Sequence, residues 1–311
     1  MVKENIRLAD YSNYKIGGPA RYFQEAQRIE EIELTLADWR GPLFILGGGT
    51  NILFPDEGFD GLVLRPMING IEQAGNLLRV GAGVTIQDFL AFTVRNNLSG
   101  FEWAGGLPGL MGGAIRGNAG AFGGETKDAV VSVKSLDISG IKPMIRERNN
   151  EECEFGYRTS IFKKLDATGS GRKEIIVEGV FNLSPGRGKS IQNIINEKIA
   201  YRQARQPLEY PNIGSIFKNV AASMVAPAIY ERAKAVIKID PFPVIPTAYL
   251  LAESGLKGEK FGGAIISPKH PNFIVNLGGA RASDIKHLIN LAKAKVKDQF
   301  GVQLEEEVII L

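Results

Sequence analysis

The stretch from Gly100 to Glu125, G-F-E-W-A-G-G-L-P-G-L-M-G-G-A-I-R-G-N-A-G-A-F-G-G-E, limits what this chain can become more than any other. Ten of its 26 positions are glycine, and only Glu102, Arg116 and Glu125 carry charge. It is too apolar for a solvated linker and too rich in glycine for the interior of a helix or strand. Such a backbone packs closely against something. Glycine reaches positive φ, and with no Cβ in the way successive N–H groups can converge on one point, so a loop can hold a phosphate or pyrophosphate without a basic side chain. A second segment, Leu46-Gly47-Gly48-Gly49-Thr50-Asn51, makes the same offer directly after the apolar run Pro42 to Leu46. Either segment alone reads equally well as a tight turn or a close crossing of elements. Two in one chain weigh toward a ligand.

Composition narrows the chemistry. At 311 residues and 44% hydrophobic, the chain can bury a sizeable core and is expected to form two domains. Net charge is +3 from 37 basic and 34 acidic residues mixed along the chain, which is no electrostatic footprint for nucleic acid. The first five residues, Met1 to Asn5, hold no apolar signal region, and no apolar run approaches the roughly 18 residues of a membrane span, so a cytoplasmic protein is expected. The single cysteine, Cys153, excludes an intrachain disulfide. The two histidines, His270 and His287, leave little for a metal site or a Ser-His-Asp triad, and no metal is expected. The chemistry must use other groups or a cofactor.

Periodicity places the elements. Arg28 to Trp39 carries Ile29, Ile32 and Leu36 on one helical face; the Pro42 to Leu46 strand and Gly61-Leu62-Val63-Leu64 follow, a small βαβ-like unit with the glycine turn inside it. Leu77 to Val84 reads as a strand, and Thr85-Ile86-Gln87-Asp88 resembles a capping box opening a helix that runs to about Asn96. Ala129 to Ile138 and Glu174 to Leu183 are further strands, with a loop expected over Asp166 to Arg172. Turn residues cluster at Ser184-Pro185-Gly186-Arg187-Gly188, ahead of a helix over Ile191 to Arg205, and mark a domain boundary at 184/185. Ser283 to Phe300 is the cleanest helix, stopped by Gly301. Val302 to Leu311 alternates like a strand, which puts an acid on an apolar strand whichever face is inside; a frayed, solvated chain end is the alternative.

Familiar nucleotide motifs fail. G-x-G-x-x-G is broken both at Gly47-x-Gly49, which continues to Ile52, and at Gly81-x-Gly83, which continues to Ile86. Gly188-Lys189-Ser190 imitates the end of a P-loop without its first glycine or its leading strand, and reads as a helix start.

An ordered series of segments resembles one family over nearly the whole chain. It comprises Tyr14 to Ala20 (Y-K-I-G-G-P-A), Gly47 to Asn51, Gly106-Leu107-Pro108-Gly109 through Gly113-Ala114, Asn118 to Ala121, Phe155 to Phe162 (F-G-Y-R-T-S-I-F), Gln206 to Tyr210 (Q-P-L-E-Y), Gly214 to Asn219 (G-S-I-F-K-N), Gly255 to Gly258, Gly262 to Ala264, Lys269 to Asn276 and Phe300 to Val308. Together they resemble the UDP-N-acetylenolpyruvoylglucosamine reductases, the flavoenzymes called MurB. Val220 stands where that family usually has proline, Leu110-Met111 replaces its common T-V, and the chain ends at Leu311, just past the last motif. The wording and brevity resemble the compact subgroup without a substrate-clamping insertion, which implies a more open pocket.

The resemblance implies an α+β chain. An FAD-binding, PCMH-type (VAO-like) two-subdomain fold would span residues 1–184, with its core from about Gly17, and a C-terminal α+β substrate domain residues 185–311. It implies NADPH-dependent reduction of the enolpyruvyl ether of UDP-N-acetylglucosamine to UDP-N-acetylmuramate for peptidoglycan synthesis, by a monomer. FAD would be noncovalent, since neither histidine nor Cys153 lies in a glycine segment. The implied flavin contacts are Gly47, Gly48, Gly49, Thr50, Asn51, Ile52, Gly81, Pro108, Gly109, Gly112, Gly113, Asn118, Ala119 and Gly120. By the same resemblance Arg158 and Glu307 stabilise the enolate-like species formed after hydride transfer and Ser215 delivers the proton; Tyr157, Lys218 and Asn219 are candidates for substrate or NADPH contacts. From the residues alone, Arg158 reads as a surface charge, Ser215 as a loop or capping serine and Glu307 as a terminal ion-pair partner; their places inside three matched motifs reverse that weighting. A sugar or lactone oxidase of the same fold would keep the glycine segments without these three residues, and a noncatalytic nucleotide-binding module would keep a pocket without turnover.

Overall fold

The computed structural model describes residues 1–140, 142–167, 173–239 and 242–311. The chain divides into two compact units: Met1–Ile6, Ala20–Gly48 and Asp60–Tyr201 form the first, and Arg7–Pro19, Gly49–Phe59 and Arg202–Leu311 the second. Among the described residues no helix is long and apolar enough to cross a membrane.

The first unit is built on two sheets. One has four strands in the order Lys3–Arg7, Pro19–Ala26, Phe59–Pro66, Leu43–Ile45, the last two parallel with Leu43 opposite Leu62. The other is an antiparallel sheet of five, Met144–Asn149, Val130–Asp137, Glu174–Asn182, Leu77–Gly81, Ile71–Ala74. The strands expected at Pro42 to Leu46, Leu77 to Val84, Ala129 to Ile138 and Glu174 to Leu183 are all present; Lys3–Arg7 and Pro19–Ala26 were not anticipated. Alternation explains how one sheet serves two cores. In Val130–Asp137, Val133 packs in a cluster with Phe89, Phe101, Ile115 and Phe181, while Leu136, past a register shift, packs with Ile32, Leu62, Leu64 and Val177.

Helices cover these sheets where the periodicity placed them. Ile29–Asp38 turns Ile32 fully inward. Ile86–Arg95 starts on Thr85, whose Oγ1 accepts the Asp88 N–H at 3.0 Å and donates to the Asp88 carboxylate at 2.7 Å, satisfying one of the free N–H groups of the first turn. The helix expected from Ile191 runs Gly188–Arg205. The expected loop of Asp166 to Arg172 begins inside the helix Ile161–Ala167, and its remainder lies outside the described residues.

The second unit surrounds the helix Ala282–Phe300. Ile285, Leu288, Ile289, Ala292, Val296 and Phe300 form its buried stripe, and Gly301 ends it at φ 66°. The stripe packs in one cluster with Ala264, Ile266 and Ile274 of a three-stranded sheet, with Ile216 and Phe217, and with Tyr14, Ile16 and Leu53 from the N-terminal half. Tyr14 is the anchor. Its hydroxyl donates to the Ile274 carbonyl at 2.9 Å, its own carbonyl accepts from Asn276, and burial holds the phenol far above its ordinary pKa. The chain end corrects the expectation of a strand over Val302 to Leu311: only Ile309–Ile310 is strand, parallel to Ile52–Leu53, because that partner is two residues long. The inward alternation survives without a ladder, with Val302, Leu304 and Val308 buried.

Candidate active site

In the first unit the two glycine segments meet. A Cβ on Gly48 would stand 2.9 Å from the Cα of Gly109, and one on Gly47 would stand 4.0 Å from the Cα of Gly113, so main chain passes main chain at a distance no other residue permits at Gly48. Each segment is tied down from behind. The Leu46 N–H donates to the Leu64 carbonyl and Arg65 Nε to the Gly47 carbonyl at 3.2 Å. Opposite, the N–H groups of Met111 and Gly112 donate to Val84 and Ala82, and Ile86 donates to the carbonyl of Gly109, whose φ is 123°. Gly112 packs on Ala82, Gly81 is crowded by the Ile68 carbonyl, and Pro108 is exposed. Among the described residues the N–H groups of Gly47, Gly48 and Gly113 reach no protein acceptor. Three backbone donors near a glycine-lined crossing are what an anion needs.

The helix Met111–Gly117 ends on Asn118, left-handed at φ 42° and fully buried. Its Nδ2 donates to the Gly156 carbonyl at 3.0 Å and its Oδ1 accepts the Lys127 N–H at 3.0 Å, so one amide joins the glycine stretch to the turn carrying Tyr157 and Arg158. In that turn Gly156 and Thr159 exchange N–H to carbonyl bonds, which forces Arg158 to φ 57°. A left-handed arginine is strained and persists only where its surroundings over-determine it. Here Arg158 Nη2 donates to the Gly120 carbonyl at 2.8 Å, its guanidinium lies 5.0 Å from the centre of the Tyr157 ring, and Lys163 Nζ donates to its carbonyl. Ala119 is held in the same place, its N–H on the Ala114 carbonyl and its carbonyl accepting from Thr126.

In the second unit the chain brings Ser215 and Glu307 to neighbouring positions. Gly214, at φ 86°, turns into Ser215; the next carbonyl, that of Ile216, accepts the Glu307 N–H at 2.8 Å, and Phe217 bridges Glu306. Asn272, buried, clamps this segment by accepting the Phe217 N–H at 3.0 Å and donating to the Phe217 carbonyl at 2.8 Å. Asn51 closes it from the other side, Nδ2 donating to the Glu307 carbonyl at 3.2 Å and its carbonyl accepting the Ile309 N–H, while Ile52 pairs with Ile309. Gly49 lies against Tyr11, where a Cβ would overlap the Tyr11 carbonyl at 1.8 Å, and its own carbonyl accepts from Asn13; Thr50 follows, half-buried. Lys218 is paired with Glu305, and the Lys218 carbonyl and Asn219 Oδ1 both accept from Thr247.

Two residues outside the sequence assignments stand out in this geometry: Asn272, which orders Ser215's segment, and Glu125. Asn272 lay inside a matched motif, and Glu125 was one of only three charges in the glycine stretch. A cavity of about 760 Å³ on the five-stranded sheet contains none of the assigned residues, and four of its charges pair with one another, Arg146 with Asp137 at 2.6 Å and Arg148 with Glu174 at 2.5 Å. Burial alone would push the Glu174 carboxyl up, but its bonds to Arg148 and Ser135 outweigh that and hold it low.

The family model for the FAD binding domain matches residues 22–141, which places this chain among FAD-binding flavoproteins, and the glycine crossing on an α+β scaffold suits that class. The model for the C-terminal domain of UDP-N-acetylenolpyruvoylglucosamine reductase matches residues 206–311. The UDP-N-acetylenolpyruvoylglucosamine reductase of Carboxydothermus hydrogenoformans is 39% identical over 315 aligned residues, covering 100% of this chain and 94% of the relative, and that of Clostridium tetani is 36% identical over 100% and 92%. The crystal structure of the reductase (MurB) from Thermus caldophilus superposes with a TM-score of 0.76 at 29% identity, covering 100% of this chain and 98% of that one. The chain belongs to the UDP-N-acetylenolpyruvoylglucosamine reductase family. The nest fits the cofactor, because the pyrophosphate of FAD is an anion that backbone N–H groups bind without lysine.

Proposed function

We propose that this chain reduces the enolpyruvyl ether of UDP-N-acetylglucosamine to UDP-N-acetylmuramate, a peptidoglycan precursor, with FAD as cofactor and NADPH as reductant, and that it does so as a monomer in the cytoplasm. The N–H groups of Gly47, Gly48 and Gly113 hold the pyrophosphate, and residues 1–184 carry the cofactor while 185–311 carry most of the substrate contacts. When bound there, FAD would supply the hydride-transfer chemistry between NADPH and the vinyl carbon of the substrate.

What remains is charge and proton handling by the chain. As the vinyl carbon accepts hydride, negative charge grows on the adjacent carbon and its carboxylate. Arg158 meets that carboxylate with a planar guanidinium, whose paired N–H donors match two oxygens at once. Ser215 gives its hydroxyl proton to the carbon bearing the charge. Serine is a weak acid but suffices against a basic carbanion when held within hydrogen-bond reach. Glu307 supports the same charged species with Arg158, and Lys218, Asn219 and Tyr157 contact the diphosphate or sugar.

The observation that carries this reading is the Ser215–Ile216–Glu307 arrangement: the Glu307 N–H is bonded to the carbonyl of Ile216, the residue after Ser215, and a buried asparagine holds the next residue, Phe217, by both its N–H and its carbonyl. The test is anaerobic. Protein reduced by NADPH is mixed with enolpyruvyl-UDP-N-acetylglucosamine, and the flavin absorbance is followed. Reoxidation with formation of UDP-N-acetylmuramate is expected; a flavin that only oxygen reoxidises refutes the reading.

A further inference from the structure

The cation assigned above to a diphosphate is already held by an acid of the chain itself. Lys218 Nζ is ion-paired with the Glu305 carboxylate, and the two side chains sit very differently: that of Lys218 is 17% exposed, that of Glu305 71%. Backbone pairing sets them face to face. Phe217 and Glu306 form an antiparallel bridge, with the Lys218 N–H on the Glu305 carbonyl at 3.0 Å and the Glu307 N–H on the Ile216 carbonyl at 2.8 Å. Alternation then puts Lys218 and Glu305 on one face of the pair, with Ile216 and Glu307 next on that face, roughly 7 Å along the chain. Lys218 is fixed from its other side as well, its carbonyl accepting from Oγ1 of Thr247, which is fully buried at the start of the helix Thr247–Glu253. The Glu305 carboxylate has no such support: among the described residues Lys218 is its one partner.

We infer that Glu305 is a placeholder anion: it neutralises Lys218 while the site is empty and swings into solvent when a diphosphate takes the ammonium. The inference rests on the diphosphate contact given to Lys218 above. An ammonium with little access to water is costly to keep charged unless an anion accompanies it. Glu305 removes that cost in the empty enzyme, and its departure breaks one bond at the surface, where an ion pair is worth little. A diphosphate brings more charge and more oxygens to the same ammonium, and a carboxylate left beside it would repel it. Each diphosphate ligand is therefore held less tightly than Lys218 alone would hold it, and leaves more readily. That suits an enzyme whose two substrates, a nicotinamide dinucleotide and a nucleotide sugar, both carry a diphosphate. The competing account is a latch, in which the pair only fastens the chain end to the segment of Ser215.

Glu305→Gln separates the two, since the amide fills the same space without the charge. UDP titrated into the oxidised holoenzyme is expected to bind about 1.5- to fivefold more tightly, the range a surface ion pair spans, with FAD affinity and the thermal midpoint as in the parent. The gain is expected to shrink as salt is raised, because salt screens the charge that was removed. Half-saturating concentrations are then read separately, for NADPH in flavin reduction and for the enolpyruvyl substrate in anaerobic reoxidation. The ligand whose diphosphate takes Lys218 shows the same fall, while the limiting rate of single-turnover reoxidation stays as in the parent. Unchanged or weaker UDP binding, or a lower thermal midpoint with a slower limiting rate, overturns the inference in favour of the latch. If Glu305→Gln does not accumulate as holoenzyme, Glu305→Ala is read by the same criteria. Lys218→Met keeps the inference apart from the reading beneath it. UDP binding as in the parent removes the diphosphate contact of Lys218 itself, whereas weakened binding there with no tightening in Glu305→Gln removes only the role of Glu305.

Discussion

Gly113→Ala is the most informative single change, because the structure separates its effect on the fold from its effect on the cofactor. Apart from its chain neighbours and the backbone of its own helix, no described protein atom stands within 4 Å of where that Cβ would be, although Gly113 sits in the helix Met111–Gly117, beside the glycine crossing. The fold should therefore accept the methyl. In a helix the replacement even removes about 0.5–1 kcal/mol of backbone entropy cost, so the apoprotein should be as stable as the parent or slightly more so. The ligand should not accept it. If the methyl keeps a pyrophosphate oxygen from one backbone N–H, the loss is that of a hydrogen bond to a charged group, about 1.5–3 kcal/mol. That corresponds to a Kd for FAD weaker by roughly 10- to 150-fold. Gly48→Ala is the contrast, since its Cβ would meet the Gly109 main chain at 2.9 Å and must disturb fold and cofactor together. Titration of apoprotein with FAD gives the affinities, and denaturant unfolding of the apoproteins gives the stabilities. Unchanged FAD affinity in Gly113→Ala, or a stability loss as large as that of Gly48→Ala, would refute the assignment of this crossing to the pyrophosphate.

Three further outcomes are expected. Ser215→Ala should leave FAD binding and flavin reduction by NADPH nearly intact and slow anaerobic reoxidation by ~10²- to 10⁴-fold, or about 3–5 kcal/mol of barrier; stopped-flow absorbance separates the halves, and equal slowing of both would make Ser215 a packing residue. Asn272→Ala strips both buried bonds from Phe217 and should cost about 2–4 kcal/mol in denaturant unfolding while slowing the same half-reaction; a cost below about 0.5 kcal/mol would mean the clamp is dispensable. Burial holds the pKa of His270, whose Nδ1 has no hydrogen-bond partner among the described residues, below its ordinary 6.5. The unfolded chain then takes a proton before the folded one does, so this contribution is full above pH 6.5 and diminishes as pH falls toward the folded pKa. His270→Gln should flatten the stability profile in that window, and an unchanged slope would count against it.

Much of the fold was legible because its signals are local. A 3.6-residue stripe, a threonine three residues before an aspartate and a glycine stop are properties of neighbouring residues, so the helices Ile86–Arg95 and Ala282–Phe300 fall within a residue or so of their expected ends. The glycine segments were legible for the same reason: their composition permits close approach wherever they are put. What they approach was not. That Gly48 crosses Gly109, that Tyr14 and Leu53 join the core around Ala282–Phe300, and that the Glu307 N–H bonds to the Ile216 carbonyl, next in chain to Ser215, are long-range pairings, decided by which buried surfaces and backbone groups find each other. The tail Val302–Leu311 marks the boundary between the two kinds of information. Its alternation set which side chains face inward, but a ladder needs a partner strand, and the partner offered two residues. Arg158 shows the same division: its motif carried the resemblance, while its left-handed backbone exists because Gly156, Thr159, Gly120 and Asn118 hold it there, a strain that no local preference would choose and only tertiary structure can maintain.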